Sequence, residues 1–192
     1  MYITRPLGIT LLAVTLAIVA CNDHEPAPVP NADGTPRSLN VGYGILYATL
    51  GDEQYLKTIR LTKTIVTFES ISEPTREIID EIAQLSSAAR EELEQLAALS
   101  PVIMLDTGED GQIEQRTRDA IRMTTVKEFF TSKEDFEVVL LVSQSQALRF
   151  ISHLIKELDV IETNSKRKAW LGTLSDRFEQ LYFRVLARLK IA

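Results

Sequence analysis

Across 192 residues the chain carries 21 Lys and Arg against 27 Asp and Glu, a formal net charge of −6. An acidic chain without dense basic runs is a poor partner for nucleic acid, and a single cysteine excludes an internal disulfide framework. No strand-like alternation persists beyond a few positions, so helical spacing has to carry the fold.

The first element, Met1–Ala20, holds one charge, Arg5, before an apolar block running from Leu7 to Ala20. Such a block, wound as a helix, reaches about 21 Å, short of the ~30 Å hydrocarbon core a spanning helix must cross. A positive start, a short apolar middle and small residues at the end are the pattern of a secretory signal peptide over 1–20. It closes on Ile18-Val19-Ala20-Cys21, and these residues resemble the lipobox of bacterial lipoproteins, with Ile18 standing where Leu is favoured. That resemblance implies acylation of the Cys21 sulfur, cleavage before it, and a palmitate-type lipid anchor in the bacterial cell envelope. Asn22 after the cysteine, in place of the aspartate that retains lipoproteins in the inner membrane, implies the outer membrane, facing the periplasm. Two or three acyl chains, at ~0.8 kcal/mol per buried methylene, make such an anchor essentially permanent.

Residues 21–37 comprise the lipidated cysteine and a tether, "NDHEPAPVPNADGTPR", holding four of the seven prolines and no apolar period. A solvated, partly polyproline II segment of this kind reaches up to roughly 50 Å. From residue 38 to 192 the pattern becomes that of one helical bundle domain. A first helix is expected over about Leu39–Phe68, broken or bent at Gly51, with Tyr55, Ile59, Thr62 and Val66 on one stripe. Ser72-Glu73-Pro74 caps and opens a second, whose stripe of Ile78, Ile82, Leu85, Ala89, Leu93 and Leu96 runs until Ser100-Pro101. A less regular helix covers about Gln112–Phe130. Thr131-Ser132-Lys133-Glu134 reads as a capping box for a helix placing Phe136, Leu140, Ser143, Ala147, Phe150, Leu154 and Leu158 on one face. The last opens near Thr163-Asn164-Ser165 and carries Leu171, Leu174, Phe178, Leu181 and Val185. Long stripes with short connections predict an all-α, antiparallel four- to five-helix bundle.

The segments "EIIDEIAQLSSAAREELEQLAALSP" and "FEVVLLVSQSQALRFISHLIKEL" resemble the helix pairs of envelope ferritin-like four-helix bundles of unknown function. The resemblance implies a ferritin-like up-down architecture. Members often carry histidines in helices two and four; this chain has none around Ser86–Ala89 or Ser143–Gln146. Its two histidines are His24, in the tether, and His153, which lacks the Glu-x-x-His partner of a di-metal site because Phe150 precedes it by three. A metal oxidase is therefore not expected, and no metal or other cofactor is assigned.

Asp106-Thr107-Gly108-Glu109-Asp110-Gly111-Gln112-Ile113-Glu114 resembles a calcium loop, with Asp106, Asp110 and Glu114 as candidate ligands. Gly108 and Thr117 fall where two further ligands are needed, so an acidic turn facing the next helix N-terminus is the preferred reading. No Gly-x-Ser-x-Gly, second cysteine or phosphate-cradling glycine loop is present, so no catalytic residue is expected. Residues 69–119 hold thirteen acids and four bases, whereas 164–192 hold seven bases and two acids. Pairing across neighbouring helices is the expected use of that asymmetry. The alternative is that Lys166, Arg167, Lys168, Arg184, Arg188 and Lys190 meet anionic headgroups or an acidic envelope protein partner.

The functional expectation is a lipid-anchored envelope lipoprotein whose bundle is a non-catalytic binding or scaffold module. The alternatives are a carrier of a small apolar ligand or lipid in an inter-helix cavity and, third, a degenerate metal-binding ferritin-like protein. A roomy apolar cavity distinguishes the carrier from the scaffold.

Overall fold

The computed structural model describes residues 37–67 (for 37 and 54–67 the backbone alone), 71–106, 112–131 and 135–191. The signal segment, Cys21, His24 and the tether lie outside the described residues, as does Asp110. Within them are five helices and no strand: α1 (Arg37–Thr67), α2 (Glu73–Ala97), α3 (Gln112–Thr131), α4 (Phe136–Ile161) and α5 (Ser165–Leu189).

Paired side chains fix the helix directions. Tyr43 near the start of α1 donates to Glu162 just past the end of α4, and Tyr47 donates to Glu94 near the end of α2. Arg184 and Arg188 in the last turns of α5 meet Glu81 of α2 and Glu137 in the first turn of α4. Each neighbouring pair in the ring α1–α2–α5–α4 is thus antiparallel, while α2 and α4 run the same way. Two hairpins are joined by a crossover, and α3 is that crossover, lying against α1 and α4.

The core follows the stripes closely in α2 and α5. Ile78, Ile82, Leu85, Ala89 and Leu93 are buried on α2, with Leu96 partly so, and Leu171, Leu174, Phe178, Leu181 and Val185 are buried on α5. At α2, Ser72 occupies the N-cap position without capping through its side chain, because its hydroxyl is held by Glu137. Asn164 does cap α5, accepting from the N–H groups of Lys166 and Arg167.

Three expectations are corrected. Helix α1 does not break at Gly51. The glycine costs roughly 1 kcal/mol of propensity, but a Cβ there would stand 3.3 Å from the Arg90 guanidinium, so its absence admits that cation against α1. Gly42 likewise lets α1 approach α4, since a Cβ would come within 2.7 Å of Leu158 Cδ2. Second, Thr131 does not open α4: it is the last residue of α3, and Asp135 caps α4 by accepting from the Glu137 N–H. Third, the core face of α4 is Phe136, Leu140, Leu141, Gln144, Leu148, Ile151, Ile155 and Leu158. Ser143, Ala147 and Phe150, expected in the core, sit on an adjoining face beneath α3. The predicted stripe of α1 at Tyr55–Val66 lies outside the described side chains, whereas Leu39, Tyr43, Leu46 and Leu50 upstream of it are fully buried.

Helix α4 is long and apolar enough, by length and composition, to cross a membrane. Its inner face nevertheless belongs to the core, and its outer face carries Arg149, His153, Lys156 and Glu157 in solvent.

Candidate functional site

At the closed end of the bundle every buried charge is answered. Arg167 is 0% exposed and forms a two-point pair with Glu162, Nε to Oε2 at 2.7 Å and Nη2 to Oε1 at 3.2 Å. Its remaining amine donates to the carbonyls of Leu99 and Pro101 at 3.1 and 2.9 Å, beyond the last turn of α2, where helical carbonyls lack partners. Burial pushes the Glu162 carboxyl up, but hydrogen bonds from Arg167, Tyr43 and the Asn164 N–H outweigh it and hold the group below its ordinary value. Tyr43 is raised, by burial first and by the Glu162 carboxylate beside it. This network ties the start of α1, the end of α2 and the α4–α5 turn into one unit.

The opposite end is tied in the same way. Glu137 accepts from the Ser72 N–H at 2.8 Å, from the hydroxyls of Ser72 and Thr75, and from Arg188 at 3.0 Å. Burial opposes ionisation, but these donors prevail and hold the Glu137 carboxyl at about 2. Arg167 and Arg188 are therefore internal braces, and Arg184 pairs with Glu81 across α2 and α5. Three of the six cations considered for headgroups are committed to the fold.

Under the crossover helix the packing is different. A cavity of about 440 Å³ lies between α1, α3 and α4. One face of each helix, at three- and four-residue spacing, supplies its wall. From α4 come Ser143, Gln146, Ala147 and Phe150, from α3 Ile121 and Thr125 among others, and from α1 Thr49, Asp52 and Glu53. Helix α3 buries only Phe129, and Ile121 is 61% exposed although it lines the cavity, so the space opens to solvent beside it.

The mouth is pinned by ion pairs. Asp52 receives Arg118 at 2.9 Å and Arg122 at 3.2 Å, Arg118 also pairs with Glu114 at 2.6 Å, and Arg122 with Asp119 at 3.0 Å. Deeper in the wall stands Glu53, 4% exposed. Burial pushes its carboxyl up to about 7, against a hydrogen bond from Gln144, and the charge of Asp52 adds to the rise. Gln144 is 1% exposed, and its Oε1 has no hydrogen-bond partner among the described residues.

The calcium candidates are not brought together among the described residues. Glu114 is in the first turn of α3, engaged with Arg118, and Asp106 is exposed at the other edge of the segment that contains Asp110. Among the described residues no group of three or more His, Cys, Asp or Glu side chains is placed to hold a metal ion. His153 is exposed.

Sequence reasoning passed over Glu53, Gln144, Asp52 and the Glu162–Arg167 pair. The signal for Glu53 was present: it continues the stripe Leu39, Tyr43, Leu46, Leu50 at a spacing of three, a carboxylate where the period calls for an apolar residue. Gln144 interrupts the Leu140–Leu141–Leu148 face of α4 in the same way. Comparison with protein-family models, with curated proteins and with solved structures finds no match to this chain.

Proposed function

We propose that this chain is a lipid-anchored lipoprotein of the bacterial outer membrane whose periplasmic helical bundle binds a small, mainly apolar ligand in the cavity under α3, without catalysing a reaction. The observation that carries the reading is the cavity itself. About 440 Å³ falls within the 300–1,000 Å³ of small-molecule sites, and an apolar floor of Ala147, Phe150 and Ile121 beside a few placed polar groups is their usual lining. A pure scaffold would have had no reason to leave that space unfilled beside a close-packed core. The anchor rests on Ile18-Val19-Ala20-Cys21, and the proline-rich tether would let the bundle stand off the membrane.

The crossover between two antiparallel hairpins supports a ferritin-like architecture. With two buried carboxylates among the described residues, Glu53 and Glu162, the second of them paired with Arg167, and no Glu-x-x-His, it supports the architecture without the di-metal chemistry.

Titration of the full chain, held on phosphatidylcholine vesicles, with the apolar fluorophore N-phenyl-1-naphthylamine tests the binding. Saturable one-site enhancement above vesicles alone is expected, and it should be lost in Ala147→Trp, where the indole fills the cavity. Enhancement indifferent to Ala147→Trp would refute the site. For the anchor, Cys21→Ser should leave soluble protein or uncut precursor, and acylated mutant in the outer membrane would refute it.

A further inference from the structure

The cavity's charges do not balance, and the imbalance points to a ligand. Asp52 and Glu114 are matched by Arg118 and Arg122 at 2.6–3.2 Å. Those two cations are committed and call for no anion. Glu53 is the surplus acid: it is buried in the cavity wall, forms no ion pair among the described residues, and its described partner is the Gln144 amide. On the far side of that amide the Gln144 carbonyl oxygen is buried and without a partner. The acid is thus a buried group without a counter-charge among the described residues and the amide oxygen a buried acceptor without a donor among them, and such groups are rare in native interiors unless something completes them.

Resting on the cavity reading above, we propose that the ligand is a small cationic amphiphile, an apolar body bearing one basic amine, and that Glu53 is the residue that binds its ammonium group. The apolar body lies on Phe150, Ala147 and Ile121, and the ammonium reaches the Glu53 carboxylate. Burial makes ionisation of Glu53 costly in the free protein, and the bound ammonium supplies a counter-charge that offsets that cost. An anionic amphiphile would instead have to displace Asp52 or Glu114 from the arginines and would meet Glu53 with like charge.

Three probes with one rigid apolar body test this: 1-adamantylamine, 1-adamantanol and 1-adamantanecarboxylate. Each is titrated by calorimetry at pH 8 into the full chain on phosphatidylcholine vesicles, with protein-free vesicles as reference. The expected result is that the amine binds at least tenfold tighter than the alcohol, and the alcohol tighter than the carboxylate. In Glu53→Gln the amine should fall to the alcohol's affinity while the alcohol stays within about twofold. An amine no tighter than the alcohol, a carboxylate that binds best, or an amine advantage surviving Glu53→Gln would each overturn the assignment of Glu53 while leaving the cavity reading standing. Failure of all three probes to bind would overturn the cavity reading with it. Should Glu53→Gln not fold, the wild-type order of amine, alcohol and carboxylate decides the matter alone.

Discussion

Glu162 and Glu53 are both buried carboxylates inside one bundle, and their surroundings treat them in opposite ways. Around Glu162 the fold supplies Arg167, a tyrosine hydroxyl and a backbone N–H, and the charge is kept. Around Glu53 the described residues supply one amide, and burial pushes the carboxyl up to about 7. The first carboxylate, with Arg167, holds the start of α1, the end of α2 and the α4–α5 turn together. The second raises the energy of the folded state and, among the described residues, is tied to its surroundings by the Gln144 amide alone. Residues that cost stability without bracing the structure are where binding function concentrates. The same contrast separates the tightly packed α2–α5 and α4–α5 interfaces from α3, which hangs over a cavity by Phe129 and a cluster of ion pairs.

The largest effect should come from the braced end. Arg167→Ala strands Glu162 as a buried unpaired charge and frees the carbonyls after α2, so it should lose ~3–5 kcal/mol in urea unfolding. Replacing both Arg167 and Glu162 with apolar residues should cost less than the two single changes together. A loss below ~1 kcal/mol for Arg167→Ala would mean the network is not the brace described.

At the other end the effect is pH-dependent. The folded Glu137 carboxyl sits at about 2, below the ~4.3 of an unfolded glutamate. Its contribution is therefore present above pH ~5 and is lost as pH falls toward 2. Glu137→Gln should flatten that acid limb, read as the change in unfolding midpoint between pH 6 and pH 3.

Glu53 should show the reverse sign. Its folded value of about 7 lies above the unfolded one, so the folded state holds the extra proton and stability falls as pH rises from ~4.3 to 7, then levels off. Glu53→Gln should remove that fall and be the more stable protein at pH 8, by an amount of the order of 1–3 kcal/mol. A variant less stable than its parent at pH 8 would show that the carboxylate braces something after all. Smallest of all, Ile121→Ala on the exposed side of α3 should change stability by no more than ~0.5 kcal/mol, yet weaken N-phenyl-1-naphthylamine severalfold.

How far the sequence disclosed this depended on how many jobs each helix face has. On α2 and α5 one stripe serves one core, and Ile78–Leu93 and Leu171–Val185 read directly as buried. Helix α4 serves two neighbours, the core and the underside of α3, so its apolar arc is wide and a single stripe drawn through Ser143, Ala147 and Phe150 followed the cavity wall. Gly51 suggested a break because local propensity cannot see the Arg90 guanidinium that occupies the space of its missing side chain. The Glu162–Arg167 pair is close in sequence, but its worth lies in carbonyls about 70 residues away at the end of α2, which no local pattern reports. Glu53 was legible as a carboxylate on an apolar stripe. Its lack of a cation partner among the described residues was not, because that depends on where α3 places Arg118 and Arg122.

The contrast turns on whether the space under α3 is a binding site, and methyl-resolved NMR of the chain titrated with N-phenyl-1-naphthylamine tests that most directly. Shifts should concentrate on the methyls of Ala147, Ile121, Thr49 and Thr125, with Leu181 and Val185 in the α5 core unmoved. Shifts confined to Ile113 and Met123, exposed on α3 and outside the cavity wall, or spread evenly over the bundle, would contradict it.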